Sequence, residues 1–311
     1  MSIVERAISR LQQRAAEVAR PAATSTPGSP GTETAVAAEF HDTRPGAAHP
    51  HLSVDLARLR ETGLLPPDSE ERRLASEFRR IKRPLVARAF GSDVESPAAA
   101  GVIMVASAVP GEGKTFTAVN LSLSLALERD VSVLLIDADV PKPQISAVFG
   151  IDGRLGLLDA LGDERLDAEA LIHETDLPNV AVMGTGTRTD VATELLASQQ
   201  LGNLMSRLRR AAPRRIIVVD SPPLLLTTEA SGLYAVAGQI VLVVRAGVTP
   251  QSAVLEAIRQ LPEKASIGIV LNAVAAGAAG DGYYGYGRYG SYPAHGPATR
   301  TVGRNREQHE A

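Results

Sequence analysis

Residues 102–115, VIMVASAVPGEGKT, join an uninterrupted apolar run to a glycine-rich turn ending in Gly-Lys-Thr. Because an apolar, helix-forming stretch at 114–129 follows, the segment reads as strand, loop and helix. A phosphate-binding loop requires that context: its glycines let backbone N–H groups wrap phosphate oxygens at the positive end of a helix. Pro110, Gly111, Glu112, Gly113, Lys114, Thr115 and Phe116 are therefore the expected nucleotide contacts. Lys114 is expected to reach the β- and γ-phosphates of ATP, and the Thr115 hydroxyl to ligate Mg²⁺. Ala108 stands where the general G-x-x-x-x-G-K-[ST] pattern has its first glycine.

Outward from this loop the chain alternates strand-like and helix-like stretches. Apolar runs at 131–136, 179–183, 215–219, 239–244 and 267–271 are interleaved with helical patterns that include 192–211 and 251–262. Continuous apolar strands separated by helices predict an α/β fold, a P-loop NTPase-like and mostly parallel sheet with helices on both faces. Two strands run into acids: 131–136 into Asp137-Ala138-Asp139, and 215–219 into Asp220-Ser221-Pro222-Pro223. An open parallel sheet presents its ligand site at these ends. A single Asp after a strand is usually an N-cap or turn residue. Three on neighbouring strand ends of a P-loop sheet point instead to holding Mg²⁺ and accepting a proton. Asn272, just past the last run, reads either as a turn residue or as an adenine contact.

The flanks differ from this core. Val4, Ile8, Leu11, Ala15 and Val18 recur at helical spacing, so 1–20 reads as an amphipathic helix. Residues 21–55 are rich in Ala, Thr, Pro, Gly and Ser and read as a flexible linker. The P-loop domain is expected over 56–275, with a charged helix at 68–83 that Pro84 ends, and a flexible tail over 276–311. Of the six tyrosines, five fall in the tail, at Tyr283, Tyr284, Tyr286, Tyr289 and Tyr292, among glycines. Such a Gly/Tyr repeat is either a low-complexity adhesive segment or a set of modification sites. Composition bounds the rest. With 44% hydrophobic and 22% charged residues the chain can bury a core, and a net charge of -3 excludes a generally basic nucleic-acid binder. The absence of cysteine excludes disulfides and thiolate sites. Every apolar run is shorter than the roughly 18 residues of a membrane helix, and the start lacks a signal-peptide core, so the expected compartment is the cytoplasm.

Taken together, these residues resemble the bacterial tyrosine kinases, P-loop enzymes that work with polysaccharide export systems. The resemblance is carried by the loop at 107–115, by three apolar residues then Asp137-x-Asp139, by three then Asp220-x-Pro222-Pro223, and by the tyrosine tail. The start Met1-Ser2-Ile3-Val4-Glu5-Arg6-Ala7 and the stretch from Gly63-Leu64-Leu65-Pro66-Pro67 to Phe78-Arg79-Arg80-Ile81-Lys82-Arg83-Pro84 look most like the exosortase-associated tyrosine autokinases of exopolysaccharide biosynthesis. The resemblance implies a catalytic set of Lys114, Asp137, Asp139 and Asp220, with Thr115, Asp137 and Asp220 at Mg²⁺ and Asp137 as base toward a tyrosine hydroxyl. It implies autophosphorylation of the tail cluster, in trans, within a homo-oligomer. A Glu-x-x-Arg-x-x-Arg pattern, here Glu77, Arg80 and Arg83, is the ring interface of such kinases, and spacing of three puts all three on one helix face. The implied partners are a membrane chain-length regulator (polysaccharide co-polymerase) as activator and a cognate tyrosine phosphatase, which would place the chain beside the inner membrane. One departure stands out: Pro141 occupies a position where the family commonly has arginine, and Lys142 follows. Two other readings compete. A ParA/MinD-like ATPase would carry an extra lysine where Val109 sits, and an ATP-gated, non-catalytic scaffold of an export complex would use the same loop and acids.

Overall fold

Each central strand alternates its side chains between two faces, and both faces are apolar, so the sheet has to be covered on both sides. The computed structural model describes residues 50–91, 97–227 and 230–274. In chain order the elements are β1 (His51–Leu52), α1 (Leu56–Glu61), α2 (Glu71–Ala89), α3 (Pro97–Ala100), β2 (Val102–Ser107), α4 (Lys114–Leu125), β3 (Ser132–Asp137), α5 (Gln144–Val148) and α6 (Leu157–Gly162). They continue with β4 (His173–Thr175), β5 (Val180–Met183), α7 (Ala192–Ala197), α8 (Gln199–Ala211), β6 (Arg215–Asp220), α9 (Ala230–Val236), β7 (Gln239–Arg245), α10 (Gln251–Gln260) and β8 (Ser266–Asn272). The eight-stranded sheet has the order β1-β4-β5-β3-β6-β2-β7-β8. Among the described residues only the pairing of β4 with β5 is antiparallel, so six neighbouring strands from β5 to β8 run parallel.

The alternation sorts the core in two. Val102, Met104 and Ala106 of β2 join Leu134, Ile136, Ile217, Val219, Ile240 and Leu242 on the face covered by α6 to α10. Ile103 and Val105 join Val133, Leu135, Ile216, Val218, Val241 and Val243 on the face covered by α1, α2, α4 and α5. This is the expected mostly parallel α/β architecture. Among the described residues no helix is long and apolar enough to cross a membrane.

Three expectations are corrected. Helix α2 does not end at Pro84 but carries on to Ala89. Proline lacks the N–H that would reach the carbonyl of Arg80, a loss of about 3 kcal/mol in a helix interior. Beyond it, however, Leu85 and Ala89 are buried on the core, and burying one leucine alone returns about 1.5–3 kcal/mol. The Leu85 carbonyl also accepts the Gln239 side-chain amide at 3.1 Å. The single helix expected over 192–211 is broken at Ser198, whose extended ψ of 159° starts α8 anew. The Ser198 hydroxyl donates back to the Leu195 carbonyl at 2.7 Å, and the break lets Leu196 and Leu201 both enter the core. Finally, the stretch read as linker to residue 55 already contains β1, which pairs with β4. Asp176 accepts from Ser53 Oγ and Val54 N there, at 3.1 and 2.9 Å, and Asp55 caps α1. The amphipathic stretch 1–20 and the tail tyrosines lie outside the described residues.

Candidate active site

The loop after β2 is shaped by its glycines and by one inward-turned acid. Gly111 and Gly113 take φ of 78° and 97°, the left-handed region, so a larger residue at Gly113 would be strained in its backbone and its Cβ, 2.0 Å from Asn272 Nδ2, would displace the Asn272 side chain. Ser107 Oγ donates to the Val109 carbonyl at 2.8 Å. The Glu112 side chain is buried, and its Oε2 accepts from Val109 N at 2.7 Å. Its Oε1 accepts from the Thr249 hydroxyl and from Arg245 N, the latter at 3.3 Å. Glu112 is therefore left with backbone groups to offer a phosphate. Asn272 is the last residue of β8, and its Nδ2 donates to the Glu112 carbonyl at 2.8 Å. It ties the sheet edge to the loop and is not a turn residue. Pro110 and Gly111 are exposed at the loop tip.

α4 opens with Lys114 and Thr115, both buried, at the loop's end. Lys114 Nζ stands 3.8 Å from Asp139 Oδ2. The next residue, Phe116, turns its ring toward Phe78 of α2, with centroids 6.3 Å apart, and helps line a cavity of about 550 Å³ with Arg60, Leu65, Pro66 and Leu74.

Asp137 ends β3 and Asp220 ends β6, and the parallel register sets the two residues side by side. Both are 0% exposed. Burial raises Asp137 to about 6, against the hydrogen bonds it accepts from Ser146 N at 2.7 Å and Ser146 Oγ at 2.8 Å. Burial, then the Asp137 charge beside it, raises Asp220 to about 8. The Thr115 hydroxyl and the Lys114 charge are near enough to oppose that rise, yet neither Asp220 oxygen completes a hydrogen bond of normal geometry. Asp137 Oδ1 is likewise without a partner.

Buried acceptors left unmet cost stability unless something supplies charge or donors. A hydrated divalent cation supplies both, so these oxygens beside Thr115 fit Mg²⁺. Among the described residues no group of three or more His, Asp or Glu side chains forms a closed metal cage. That too suits Mg²⁺ at a phosphate site, where one or two carboxylates, waters and the nucleotide's phosphates complete the shell.

Ser146 and Thr185 belong to this site although sequence reading did not find them. Ser146 Oγ lies 3.4 Å from Thr185 Oγ1 and accepts from Thr185 N at 3.1 Å, while Thr185 Oγ1 donates to the Asp137 carbonyl at 3.3 Å. They orient Asp137 from α5 and from the loop after β5. No motif marks either residue; topology alone brings them together. The turn after Asp139 is closed by Lys142 N, which donates to the Asp139 carbonyl at 3.0 Å and to Oδ1 at 3.3 Å, with Pro141 and the Lys142 side chain exposed.

Glu77, Arg80 and Arg83 are not brought to this site. They are exposed along α2, opposite the buried residues Phe78, Lys82, Leu85 and Ala89. Arg73 bonds Glu77 at 3.2 Å and Glu70 at 3.0 Å on the solvent side. On the buried side, Lys82 Nζ donates to the Ser124 carbonyl at 2.6 Å and pairs with Glu128 at 2.7 Å, clamping α2 against the end of α4. Asn120 Nδ2 adds a bond to the Leu64 carbonyl at 2.8 Å.

Known proteins are similar to this chain. Residues 100–266, more than half of the chain, match the family model of an AAA domain. EpsB of Ralstonia nicotianae is 33% identical over 176 residues, 56% of this chain, but the match spans only 23% of EpsB's own length. The tyrosine-protein kinase YwqD of Bacillus subtilis is 31% identical over 172 residues, covering 55% of this chain and 71% of YwqD. Among solved structures, the VpsO kinase domain is 27% identical, with a TM-score of 0.55 covering 67% of this chain and 100% of that domain. With its P-loop, its paired strand-end acids and these relatives, the chain belongs to the P-loop family of bacterial tyrosine kinases.

Proposed function

We propose that the protein is an ATP-dependent protein-tyrosine autokinase that phosphorylates its own tail at Tyr283, Tyr284, Tyr286, Tyr289 and Tyr292. The observation that carries this reading is the pair of buried carboxylates with unmet oxygens beside Lys114 and Thr115, in a chain whose tyrosines cluster in one segment. Thr115, Asp137 and Asp220 would hold Mg²⁺, which neutralises charge on the phosphates when bound. The loop amides and Lys114 bind the phosphates and stabilise charge as it spreads. Asp220, raised to about 8, holds a proton at neutral pH until a cation displaces it. Asp137, raised only to about 6, is mostly ionised at pH 7 and can take the proton from a tyrosine hydroxyl. Ser146 fixes its other oxygen, so the base meets the hydroxyl in one orientation. Asp139 sets Lys114.

Assembly follows from α2. Its outward row Glu77, Arg80 and Arg83 is the surface for a ring of copies, in which one chain's tail reaches a neighbour's site. A membrane chain-length regulator as activator, a cognate phosphatase, a place beside the inner membrane and a role in exopolysaccharide export rest on the motif resemblance.

The test is incubation of the full chain with Mg-ATP, followed by mass spectrometry of the 281–292 peptide, with Lys114→Ala and Asp137→Ala as controls. Phosphotyrosine absent from both controls is the expected result. Nucleotide binding with an unmodified tail, also when an activator's cytoplasmic segment is added, would replace this reading with the ATP-gated scaffold. The half-buried Val109, where a MinD-like ATPase would carry lysine, gives that alternative no support.

A further inference from the structure

Glu112 is a buried acid inside a loop built to bind anions. A carboxylate facing the cradle would repel phosphate, so its direction matters. Its oxygens are both engaged by the protein: Oε2 by Val109 N within the loop, and Oε1 by Arg245 N and the Thr249 hydroxyl from outside it. Arg245 ends β7, and Thr249 lies in the turn before α10. From β8, Asn272 Nδ2 grips the Glu112 carbonyl and occupies the space beside Gly113 that a side chain would need. The loop is thus held at one residue by the carboxyl ends of two adjacent strands, on the side of the sheet away from Asp137 and Asp220.

From this geometry we infer that Glu112 is a positioning residue, and that Thr249, Glu112 and Asn272 form a latch holding the phosphate loop in its binding shape before nucleotide arrives. The inference rests on the nucleotide-binding reading above and adds what sets the loop's conformation. The carboxylate accepts the Val109 N–H, which fixes the front of the loop. The Asn272 bond fixes Glu112's own peptide, leaving Gly113 in its left-handed conformation with the following amides free for phosphate. Affinity arises from a cradle ordered in advance, without an ordering cost at binding. Strands β7 and β8 thereby act on phosphate binding without touching a phosphate.

The experiment uses the full chain and Glu112→Gln, Thr249→Val and Thr249→Ser. Binding of a fluorescent ADP analogue with Mg²⁺ is titrated, and thermal melting and amide hydrogen exchange are followed without nucleotide. Gln keeps the shape of Glu112 but loses an acceptor oxygen, and Val keeps the bulk of Thr249 but loses the donor. Both should bind ADP weaker, by roughly tenfold for Glu112→Gln and several-fold for Thr249→Val. Faster exchange of the Val109 amide should accompany this in both variants, and of the Arg245 amide in Thr249→Val, because Arg245 N also donates to Thr249 Oγ1 at 3.2 Å; the melting temperature of the nucleotide-free chain should change little. Thr249→Ser restores the hydroxyl and should bring binding and exchange back to those of the parent chain. Parent-like binding and exchange in Glu112→Gln and Thr249→Val would overturn the latch, as would a Ser variant that fails to rescue. If the parent chain binds no ADP, the nucleotide reading falls, while the exchange rates still decide whether Glu112 holds the loop.

Discussion

Lys82 on α2 and Asp220 at the end of β6 are both ionisable side chains withdrawn from water, at 6% and 0% exposed. Around Lys82 the needs of the charge are met: the Ser124 carbonyl at 2.6 Å and Glu128 at 2.7 Å accept from two of its three N–H groups. Around Asp220 they are not, since both oxygens lack partners and its register neighbour is another carboxylate. A buried charge with partners holds two helices together. A buried carboxyl without partners, beside a carboxylate, keeps its proton until a cation displaces it. The two regions separate cleanly by what removing the charge should do.

Asp220→Asn should have the largest effect and opposite signs on activity and stability. Losing a carboxylate at the metal should lower phosphotransfer by at least about 100-fold, measured as tail phosphotyrosine per minute. The nucleotide-free chain should be as stable as the parent or more so, most clearly near and above pH 8, where Asp220 ionises and the substitution removes a charge that burial penalises. A clear loss of melting temperature in that variant would mean that Asp220 is a structural group after all, and the contrast with Lys82 would disappear.

The same pair makes the stability of the chain depend on pH. Asp137 and Asp220 have pKa values raised from an ordinary 3.8 to about 6 and about 8. Between the unfolded and folded values the folded chain binds more protons than the unfolded one, so stability falls as pH rises. Their contribution is complete below about pH 4 and is lost progressively through pH 6 and then pH 8. Urea unfolding of the nucleotide-free chain at pH 6, 7 and 8 should give a declining series. Asp220→Asn should flatten its upper part, and saturating Mg-ADP should flatten it as well.

Lys82→Met tests the other region. Methionine can fill the path of the lysine stem, but the Ser124 carbonyl loses its donor and Glu128 its partner. Because Glu128 is 38% exposed and can turn to water, the expected cost is about 1–3 kcal/mol, below that of a fully buried broken pair. Urea unfolding gives that value, while ADP affinity should stay within about twofold, since the Lys82 partners Ser124 and Glu128 lie outside the loop. A cost near zero would mean that the buried Lys82 clamp adds no more to stability than an exposed ion pair.

Why one region was readable from sequence and the other was not follows from how each is built. Lys114, Thr115, Asp137 and Asp220 could be placed because each sits at a fixed offset from an apolar strand, and parallel strands bring such ends together. Lys82 lies in a run of charges that reads as a solvated face, and only the packing of α2 on α4 shows that it points inward. Ser146 comes from α5 and Thr185 from the loop after β5, so their meeting at Asp137 depends on β5 lying next to β3. Pro84 misled for a related reason: local propensity ends the helix there, but the burial of Leu85 and Ala89 carries it on. The strands β1 and β4, of two and three residues, are too short to leave a periodic signal, and they exist because a sheet edge offers them partners.

Arg73→Ala should be the smallest change and sharpens the comparison at its exposed limit. Arg73 bonds Glu70 and Glu77 at distances as short as many buried pairs, yet its side chain is 58% exposed and both acids are about half exposed. Water and salt screen such pairs, and holding long side chains in place costs entropy, so stability should change by no more than about 0.5 kcal/mol. The variant also bears on assembly. Arg73 occupies a carboxylate, Glu77, that the proposed ring interface needs, so removing Arg73 leaves Glu77 free to pair with a neighbouring copy. Sedimentation should then find the Arg73→Ala oligomer formed at an equal or lower protein concentration than the parent, and the Glu77→Ala oligomer at a higher one. If both variants assemble like the parent, the outward row of α2 is a solvated helix face, and the ring, if it forms, uses another surface.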